Sequence, residues 1–434
     1  MIIGYIITSA QQYTSIISFH GIFMIFIFVM PILIGGFGNI LLPIMLGCSD
    51  LLFPRLNALS VWLFVLSLLL ILISLSIDNG VDCGWTFYVL LSSIGSSSID
   101  YLFFTIHLSG ISSISGSINF LITIISRQSF NVILDWYWLY LTISLYLWSI
   151  LVTSILLLLS LPVLASSVTL ILLDRYYNSC FFSLIFGGDA LLFQHSFWFF
   201  GHFEVYILIL PAFGLIMDIV TRSSNTIIFS RDSMINAIFS IGVIGFMVWG
   251  YYMFNVGFDL DTRAYYSSST SIIAILTGIK IFNWTFTLWF VAIELIVDVF
   301  SIIFDFLFSF PFDDLMGILL FNALLDILFY DTYFIVGYFH YVLSLGALYS
   351  IFAAIYMYFL HLLSFPTPPL PSHSFLILLL LSSNLLFLPM HSIGLMGHSR
   401  RIFDYPLLFS SLHYLQSLGI SGVSFSIVLL SLSL

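Results

Sequence analysis

Three polar side chains interrupt an apolar stretch near the middle of the chain, residues 197–210, which reads FWFFGHFEVYILIL. On a helix, His202 and Tyr206 are four residues apart, so they lie on one face and can reach the same site. Glu204 lies about 200° around the helix from His202 and points elsewhere. An imidazole can ligate a metal, and a carboxylic acid can carry a proton. The spacing therefore predicts a metal site on one side of this helix and a proton route on the other.

The composition places this stretch in a membrane protein. Of the 434 residues, 61% are hydrophobic and only 7% are charged, and the mean hydropathy is +1.17. A soluble protein of this length cannot bury so much apolar surface. The net charge of −11 rests on few groups and argues against nucleic acid as a partner. Cys48, Cys83 and Cys180 show no CxxC or metal-ligand spacing and are expected to be unpaired.

Apolar runs of twenty residues or more recur along the chain, each long enough to cross a bilayer as a helix. They predict an all-α polytopic helical bundle that forms a single domain over residues 1–434, with no cleaved signal peptide. The eleven predicted spans are 10–46, 55–77, 102–126, 135–164, 190–221, 232–254, 263–288, 290–311, 328–361, 373–391 and 413–434.

Ionisable groups within such segments are costly, so each is a candidate for function. Lys280, the only lysine of the chain, lies in the apolar stretch TGIKIFNW. One interpretation is a lysine that extends to the membrane surface, and the other is a functional group. Isolated histidines such as His107 and His195 are expected to be hydrogen-bonded core residues rather than metal ligands.

Five stretches of the sequence carry a resemblance to a known family. Residues 194–214, QHSFWFFGHFEVYILILPAFG, resemble the signature of the heme-copper oxidases. Four further stretches, 20–62, 256–284, 330–349 and 397–406, follow the motifs of that family in the same order. The resemblance as a whole covers the chain from about residue 11 to the C-terminus. On these motifs the chain is identified as a member of the heme-copper oxidase family.

The resemblance implies a function and a set of partners. It implies the catalytic subunit of a terminal respiratory oxidase, in which electrons pass from cytochrome c through heme a to a heme a3–CuB site. There O2 is reduced to water, and proton pumping is coupled to this reaction. Expected partners are cytochrome c, membrane lipid and other oxidase subunits, including one that bears CuA. The expected location is the mitochondrial inner membrane rather than a bacterial plasma membrane.

The resemblance also assigns roles to the metal-binding and heme-binding residues. His20 and His340 match the two axial ligands of heme a, and His202 matches one ligand of CuB. Tyr206 matches the tyrosine that is covalently joined to this histidine in the family. The remaining matches concern the heme propionates and a magnesium ion: Arg400 and Arg401 as propionate-binding residues, Asp326 near them, and Asp331 as a magnesium ligand.

Two proton routes follow from the same resemblance. Asp50, Asn39 and Asn57 match the entrance of the D pathway, which ends at Glu204. Thr277 and Lys280 match the K pathway, which leads to Tyr206. For Lys280 the resemblance therefore favours a functional role over extension to the membrane surface.

The sequence departs from the family at three ligand positions. Tyr251 and Tyr252 occupy two positions of CuB ligands, and Tyr338 occupies the position of the axial ligand of heme a3. In one interpretation, unusual decoding or RNA editing makes these residues histidine in the working protein, because His and Tyr codons differ by one base. In the other, the chain is a structural subunit that carries heme a without reducing oxygen. The retained proton-route residues favour an active oxidase.

A further departure concerns the N-terminus. The family has twelve helices, and only about ten residues precede the first matched motif. The sequence therefore predicts that helix one is missing from this chain and is supplied by a separate polypeptide, or is lost.

Overall fold

The computed structural model describes residues 9–78, 80–126, 143–289, 297–359 and 369–433. Within these ranges the regular elements are helices, and the only extended pairing is one isolated bridge between Thr332 and Ser399. The predicted all-α fold class is confirmed.

Ten helices among the described residues are long and apolar enough to cross a membrane. Their spans are Ala10–Leu46, Pro54–Ser76, Ser98–Ser126, Leu145–Tyr176, Ala190–Ser224, Arg231–Val256, Leu260–Trp289, Tyr333–Tyr358, Ser374–Leu395 and Leu407–Leu430. Ten of the eleven predicted spans therefore have a counterpart, although the fourth helix ends twelve residues later than its predicted boundary at 164. The predicted residues 135–142 lie outside the described residues.

The remaining predicted span, 290–311, begins in residues that are not described. Its described part belongs to a helix over Val297–Leu320 that carries four aspartates, at positions 298, 305, 313 and 314. So many acidic residues make this helix too polar to be counted with the ten. The helix itself was predicted, but the prediction ended nine residues before its observed C-terminus.

The chain divides into two compact units. The first falls within Ile7–Pro211 and Ile238–Phe258, and it begins with α1, Ala10–Ile22. Two π-helical segments, Phe23–Val29 and Pro31–Gly38, connect α1 to α2, Asn39–Leu46. Next come four α-helices: α3 Pro54–Ser76, α4 Val89–Ser92, α5 Ser98–Ser126 and α6 Leu145–Tyr176.

Local signals explain where these helices begin and end. The Ser9 hydroxyl caps α1 by accepting a hydrogen bond from the Gln12 amide, and the Ser144 hydroxyl caps α6 in the same way through Leu147. Pro54 begins α3, where its missing amide proton costs nothing. Gly47 ends α2 in the left-handed conformation, with φ 64°.

The helix α7, Ala190–Ser224, carries the stretch that contains His202. After α8, Arg231–Ile244, two short 3-10 segments follow, Gly245–Met247 and Trp249–Val256. The second unit falls within Ala212–Ala237 and Asp259–Leu434 and thus takes the C-terminal part of α7.

The later elements of the second unit are α-helices, with two π-helical segments among them. They are α9 Leu260–Trp289, α10 Val297–Leu320, α11 Ala323–Phe329, α12 Tyr333–His340, a π-helical segment Tyr341–Ala347, α13 Leu348–Ala354, a π-helical segment Ile355–Phe359, α14 Pro369–Leu395 and α15 Ser410–Ser433. Glycines allow some of them to approach closely. A Cβ atom on Gly394 of α14 would lie 1.9 Å from the Phe334 amide nitrogen of α12.

Candidate functional site

His202 and Tyr206 meet on one face of α7, as their spacing predicted. Their ring centroids are 4.4 Å apart, and the ring planes cross at 72°. Only 5% of His202 is exposed, and neither ring nitrogen has a hydrogen-bond partner among the described residues. A buried polar group without a partner costs about 1–3 kcal/mol. The imidazole is therefore suited to bind a ligand that completes its coordination, such as a metal ion.

Glu204 is buried on the same helix, with 2% of its surface exposed. Both of its carboxyl oxygens lack a hydrogen-bond partner within the described part of the chain. An ionised carboxylate in such surroundings is far more costly than a neutral acid. Its position suits a group that takes up and releases a proton rather than one that forms a permanent ion pair.

Tyr251 and Tyr252 lie beside His202 on the 3-10 segment Trp249–Val256. The Tyr252 ring stacks on Trp198 at 4.5 Å with an angle of 7°, and its centroid is 5.9 Å from that of His202. The Tyr251 ring lies 5.1 Å from Tyr252. The structure therefore brings the predicted copper ligands of this unit together around the His202 imidazole.

This set of side chains does not fit a copper ion. It offers one imidazole and two phenols, whereas copper redox sites use several nitrogen or sulfur ligands. No group of three or more His, Cys, Asp or Glu residues that could hold a metal occurs in the described ranges. With tyrosine at positions 251 and 252, the predicted copper site has one suitable ligand, His202.

His340 ends α12, and the structure fixes the orientation of its ring. Nδ1 donates a hydrogen bond to the Val336 carbonyl oxygen at 2.7 Å, so the lone pair belongs to Nε2. The ring stacks on Phe387 at 4.9 Å with an angle of 20°. An anchored Nδ1–H with Nε2 as acceptor is the usual arrangement of a metal-ligating histidine. His340 therefore fits the role of an axial heme ligand.

Tyr338 lies two residues before His340 on the same helix. A Cβ atom on Gly317 of α10 would be 3.2 Å from the Tyr338 hydroxyl oxygen. The phenol therefore packs against the backbone of α10, at a position where a Cβ atom would require the Tyr338 ring to shift by a few tenths of an ångström.

His20 is exposed near the end of α1, and a π-helical segment begins three residues later at Phe23. His340 likewise directly precedes a π-helical segment, which begins at Tyr341. Such segments widen the helix and occur often at functional sites. The two predicted heme ligands thus share one local backbone context, which the sequence did not indicate.

The predicted propionate and magnesium residues form one polar cluster. The Arg400 side chain pairs with the Asp331 carboxylate, where Nε lies 2.6 Å from Oδ1, and the Arg400 amide donates to the Asp331 carbonyl at 2.8 Å. Asp326 is buried nearby on α11. Burial, and then the charge of Asp331, raise the pKa of Asp326 to about 7, while Arg400 opposes this shift. Arg401 follows with a left-handed backbone, φ 65°. A magnesium ion would have to share Asp331 with Arg400.

The residues predicted for the entrance of the D pathway lie at the start of α2, in the turn that follows α2 and on the first turn of α3. Asp50 is exposed, and its Oδ1 accepts a hydrogen bond from the Leu51 amide at 2.7 Å. Asn39 donates through Nδ2 to the Gly35 carbonyl, but its buried Oδ1 has no partner among the described residues. Asn57 is half-buried on the first turns of α3. An exposed acid and a buried amide acceptor are compatible with a polar entrance.

Lys280 is completely buried on α9, and its Nζ has no hydrogen-bond partner in the described residues. Nζ lies 4.4 Å from the centroid of the Phe213 ring. The interpretation of a lysine that extends to the membrane surface is therefore wrong. One turn earlier, Thr277 contacts Asp314 of α10. Asp314 was not among the predicted site residues, although an aspartate inside the apolar stretch FPFDDLMGI is a signal that the sequence contains.

The two isolated histidines behave as expected. His107 contacts the Phe103 carbonyl oxygen through Nδ1 at 2.8 Å and the Thr169 hydroxyl through Nε2 at 3.0 Å. His195 accepts a hydrogen bond from the Trp249 indole at 3.2 Å. Both are hydrogen-bonded as expected, although each is half-buried rather than in the core, and their partners distinguish them from His202.

Comparisons with known proteins bear on the family and the fold of the chain. Residues 1–422 match the model of the family described as cytochrome c and quinol oxidase polypeptide I. A solved structure described as a heme-copper terminal oxidase dimer superposes with a TM-score of 0.79, and the match covers 97% of this chain and 76% of that one. The sequence identity is 16%, so this likeness concerns the fold.

Curated relatives are much more similar in sequence. Cytochrome c oxidase subunit 1 of Yarrowia lipolytica is 45% identical over 414 residues, which cover 95% of this chain and 76% of the relative. The same subunit of Candida albicans is 44% identical over 412 residues, with coverages of 94% and 76%. That of Pecten maximus is 42% identical over 431 residues, with coverages of 98% and 89%. The chain belongs to the cytochrome c and quinol oxidase polypeptide I family, the heme-copper oxidases.

Proposed function

We propose that this chain is the catalytic subunit of a terminal respiratory oxidase that passes electrons from cytochrome c through heme a to an oxygen-reducing heme a3–CuB site. The observation that carries the proposal is α7, where a buried imidazole without a hydrogen-bond partner meets Tyr206 while Glu204 is buried nearby. A structural helix gains nothing from burying such groups without partners. Their presence on one helix therefore supports redox and proton chemistry.

In this proposal His340 and His20 hold heme a, which supplies one-electron transfer when bound. The hydrogen bond from His340 Nδ1 to Val336 keeps Nε2 directed as an acceptor. Arg400 and Arg401 bind the heme propionates, because a guanidinium matches a carboxylate with two parallel hydrogen bonds. Asp331 orients Arg400 for this contact and also serves as the proposed magnesium ligand.

His202 and Tyr206 belong to the oxygen-reducing site. The Tyr206 phenol lies on the face of α7 that holds the His202 ring. In this proposal it gives one proton and one electron to the O2 that is reduced and is itself left as a phenoxyl radical. Copper at this site needs further nitrogen ligands, which Tyr251 and Tyr252 do not supply. The proposal therefore requires histidine at these positions in the working polypeptide, and the same holds for Tyr338 as the ligand of heme a3.

Two sets of side chains move protons in this proposal. Asp50, Asn39 and Asn57 form the entrance of the route to Glu204, which holds the proton inside the membrane. Thr277 and Lys280 form the second route, towards Tyr206. The chain acts in the mitochondrial inner membrane with a CuA-bearing subunit and other oxidase subunits.

The test is oxygen uptake by the purified complex with reduced cytochrome c as the donor. We expect cyanide-sensitive uptake that is lost in a His202→Asn variant, because the variant removes the one imidazole of the oxygen site. A His107→Gln variant, in a hydrogen-bonded, half-buried histidine, is the control and should keep the rate. Absence of uptake in the unaltered complex, or full activity after His202→Asn, would contradict the proposal.

A further inference from the structure

Asp314 of α10 meets the side chain of Thr277 on α9. The Thr277 hydroxyl oxygen lies 2.9 Å from each of the two carboxyl oxygens of Asp314. The same hydroxyl is 2.9 Å from the carbonyl oxygen of Ala274. A hydroxyl has one proton to donate and can also accept. Thr277 can therefore donate to only one of these two neighbours at a time.

Two hydrogen-bond arrangements satisfy this geometry. When Asp314 is ionised, the Thr277 hydroxyl donates to the carboxylate. When Asp314 carries a proton, it donates that proton to Thr277 Oγ1, and the Thr277 hydroxyl donates to Ala274. In both arrangements the carboxyl group and the hydroxyl stay hydrogen-bonded, so Asp314 can gain or lose a proton without leaving a buried polar atom unsatisfied.

The nearest functional group along α9 is Lys280, one turn after Thr277 and on the same face. Its Nζ is fully buried and faces the ring of Phe213. Phe213 in turn contacts Trp284 at 5.3 Å and Phe310 at 5.0 Å, edge to face. These rings attract the ammonium form but offer it no acceptor. A proton for Lys280 therefore has to come from a polar group elsewhere, and Thr277, three residues earlier on the same face of α9, contacts such a group in Asp314.

We propose that Asp314 is a proton-relaying residue that loads Lys280 through Thr277, an inference that rests on the proposed function of the Thr277–Lys280 route. In the step, the Asp314 carboxyl proton moves to Thr277 Oγ1, and the hydroxyl proton of Thr277 passes through a water molecule to the neutral Lys280 amine. The products are a carboxylate, an unchanged hydroxyl and an ammonium group, so charge and protons balance. Asp314 then takes its next proton from bulk water.

The test compares rates of proton uptake during reduction of the hemes in the purified complex, followed with a pH indicator. In Asp314→Asn, which keeps the shape but cannot carry the proton, we expect uptake to slow roughly tenfold or more, since positioned proton transfer contributes at least that much. The heme spectra should stay unchanged, because no heme ligand is altered. Asp314→Glu should recover most of the rate.

Asp305→Asn is the matched control, because it removes another carboxylate from α10, and it should behave as the unaltered complex. Thr277→Val provides a second test that keeps Asp314 and should slow uptake to a similar extent. If Asp314→Asn does not assemble, unchanged uptake in Thr277→Val overturns the inference.

Lys280→Met separates this inference from the proposed function. If Lys280→Met leaves uptake unchanged, the route itself is wrong. If Lys280→Met slows uptake but Asp314→Asn and Thr277→Val do not, the route stands and only the role of Asp314 is overturned.

Discussion

The imidazoles of His340 and His202 occupy contrasting surroundings. The protein orients His340 through the hydrogen bond to Val336 and through stacking on Phe387. His202 has a neighbouring phenol but no hydrogen bond to either ring nitrogen from the described residues. The fold itself thus orients the His340 ring. The His202 ring nitrogens lack such a partner among the described residues and are free to accept the ligand that the proposed function assigns to them.

The difference in hydrogen bonding indicates how each proposed site depends on the residues around it. A ligand anchored by a backbone carbonyl tolerates changes elsewhere, because the carbonyl is present whatever the side chains are. In the proposed function, His202 depends on residues 251 and 252 of another segment to complete a metal site. The three departures from the family pattern fall at positions proposed for the oxygen site, and both residues proposed to ligate heme a, His20 and His340, are kept.

The largest expected effect concerns the identity of residues 251, 252 and 338. Peptide mass spectrometry across VWGYYMF and GYFHYVL identifies these residues directly. The ratio of copper to heme is measured on the same preparation. Histidine masses should accompany stoichiometric copper and oxygen uptake, and tyrosine masses should accompany the loss of both, because phenols do not replace the nitrogen ligands of copper. Tyrosine at all three positions together with stoichiometric copper would refute the ligand argument and remove the contrast with His340.

Next in size is the loss of heme a when His340 is replaced. His340→Ala removes the anchored ligand, so the low-spin heme signal in the reduced-minus-oxidised spectrum should disappear. His195→Gln, in a histidine whose partner is the Trp249 indole, should retain the signal and controls for general damage. Retention of low-spin heme in His340→Ala would show that another residue is the ligand.

Glu204→Gln should uncouple proton pumping. The amide keeps the size of the side chain but cannot carry a proton, so proton release by proteoliposomes should cease while heme a remains reducible. Asp189→Asn, on an exposed acid before α7 whose carboxylate accepts from the Leu191 amide, is the control. Pumping at the unaltered stoichiometry in Glu204→Gln would rule out the D-route assignment.

The smallest effect is one of packing around the His340 helix. In Gly394→Ala the new methyl group would lie 1.9 Å from the Phe334 amide nitrogen, so α12 and α14 must separate. We expect a loss of about 1–3 kcal/mol in the free energy of unfolding, as for other overpacked sites. Gly116→Ala has no atom within 4 Å of the new carbon and should be neutral or slightly stabilising. Denaturant titration of both variants measures the difference, and equal stability would contradict the close approach.

Much of the fold and part of the candidate site could be predicted from the sequence. Long apolar runs determine helices in a membrane, because the backbone there must satisfy its own hydrogen bonds. The shared face of His202 and Tyr206 follows from helix geometry alone. By contrast, the apolar sequence of α9 left open whether Lys280 extends to the membrane surface. The face of α9 that packs against other helices depends on the rotation of α9, and its hydrophobicity does not determine that rotation.

Contacts between segments that are distant in the chain depend on the tertiary structure. Thr277 and Asp314 are 37 positions apart, and their hydrogen bond depends on how α9 and α10 are placed and rotated. The same is true of Tyr252 stacking on Trp198 and of Phe387 against the His340 ring. The sequence alone indicated the candidate functional residues, because the free-energy cost of burying a polar group depends on its type and on the apolar run around it. Their partners depended on the packing of helices, which is set by the complementary shapes of many side chains together.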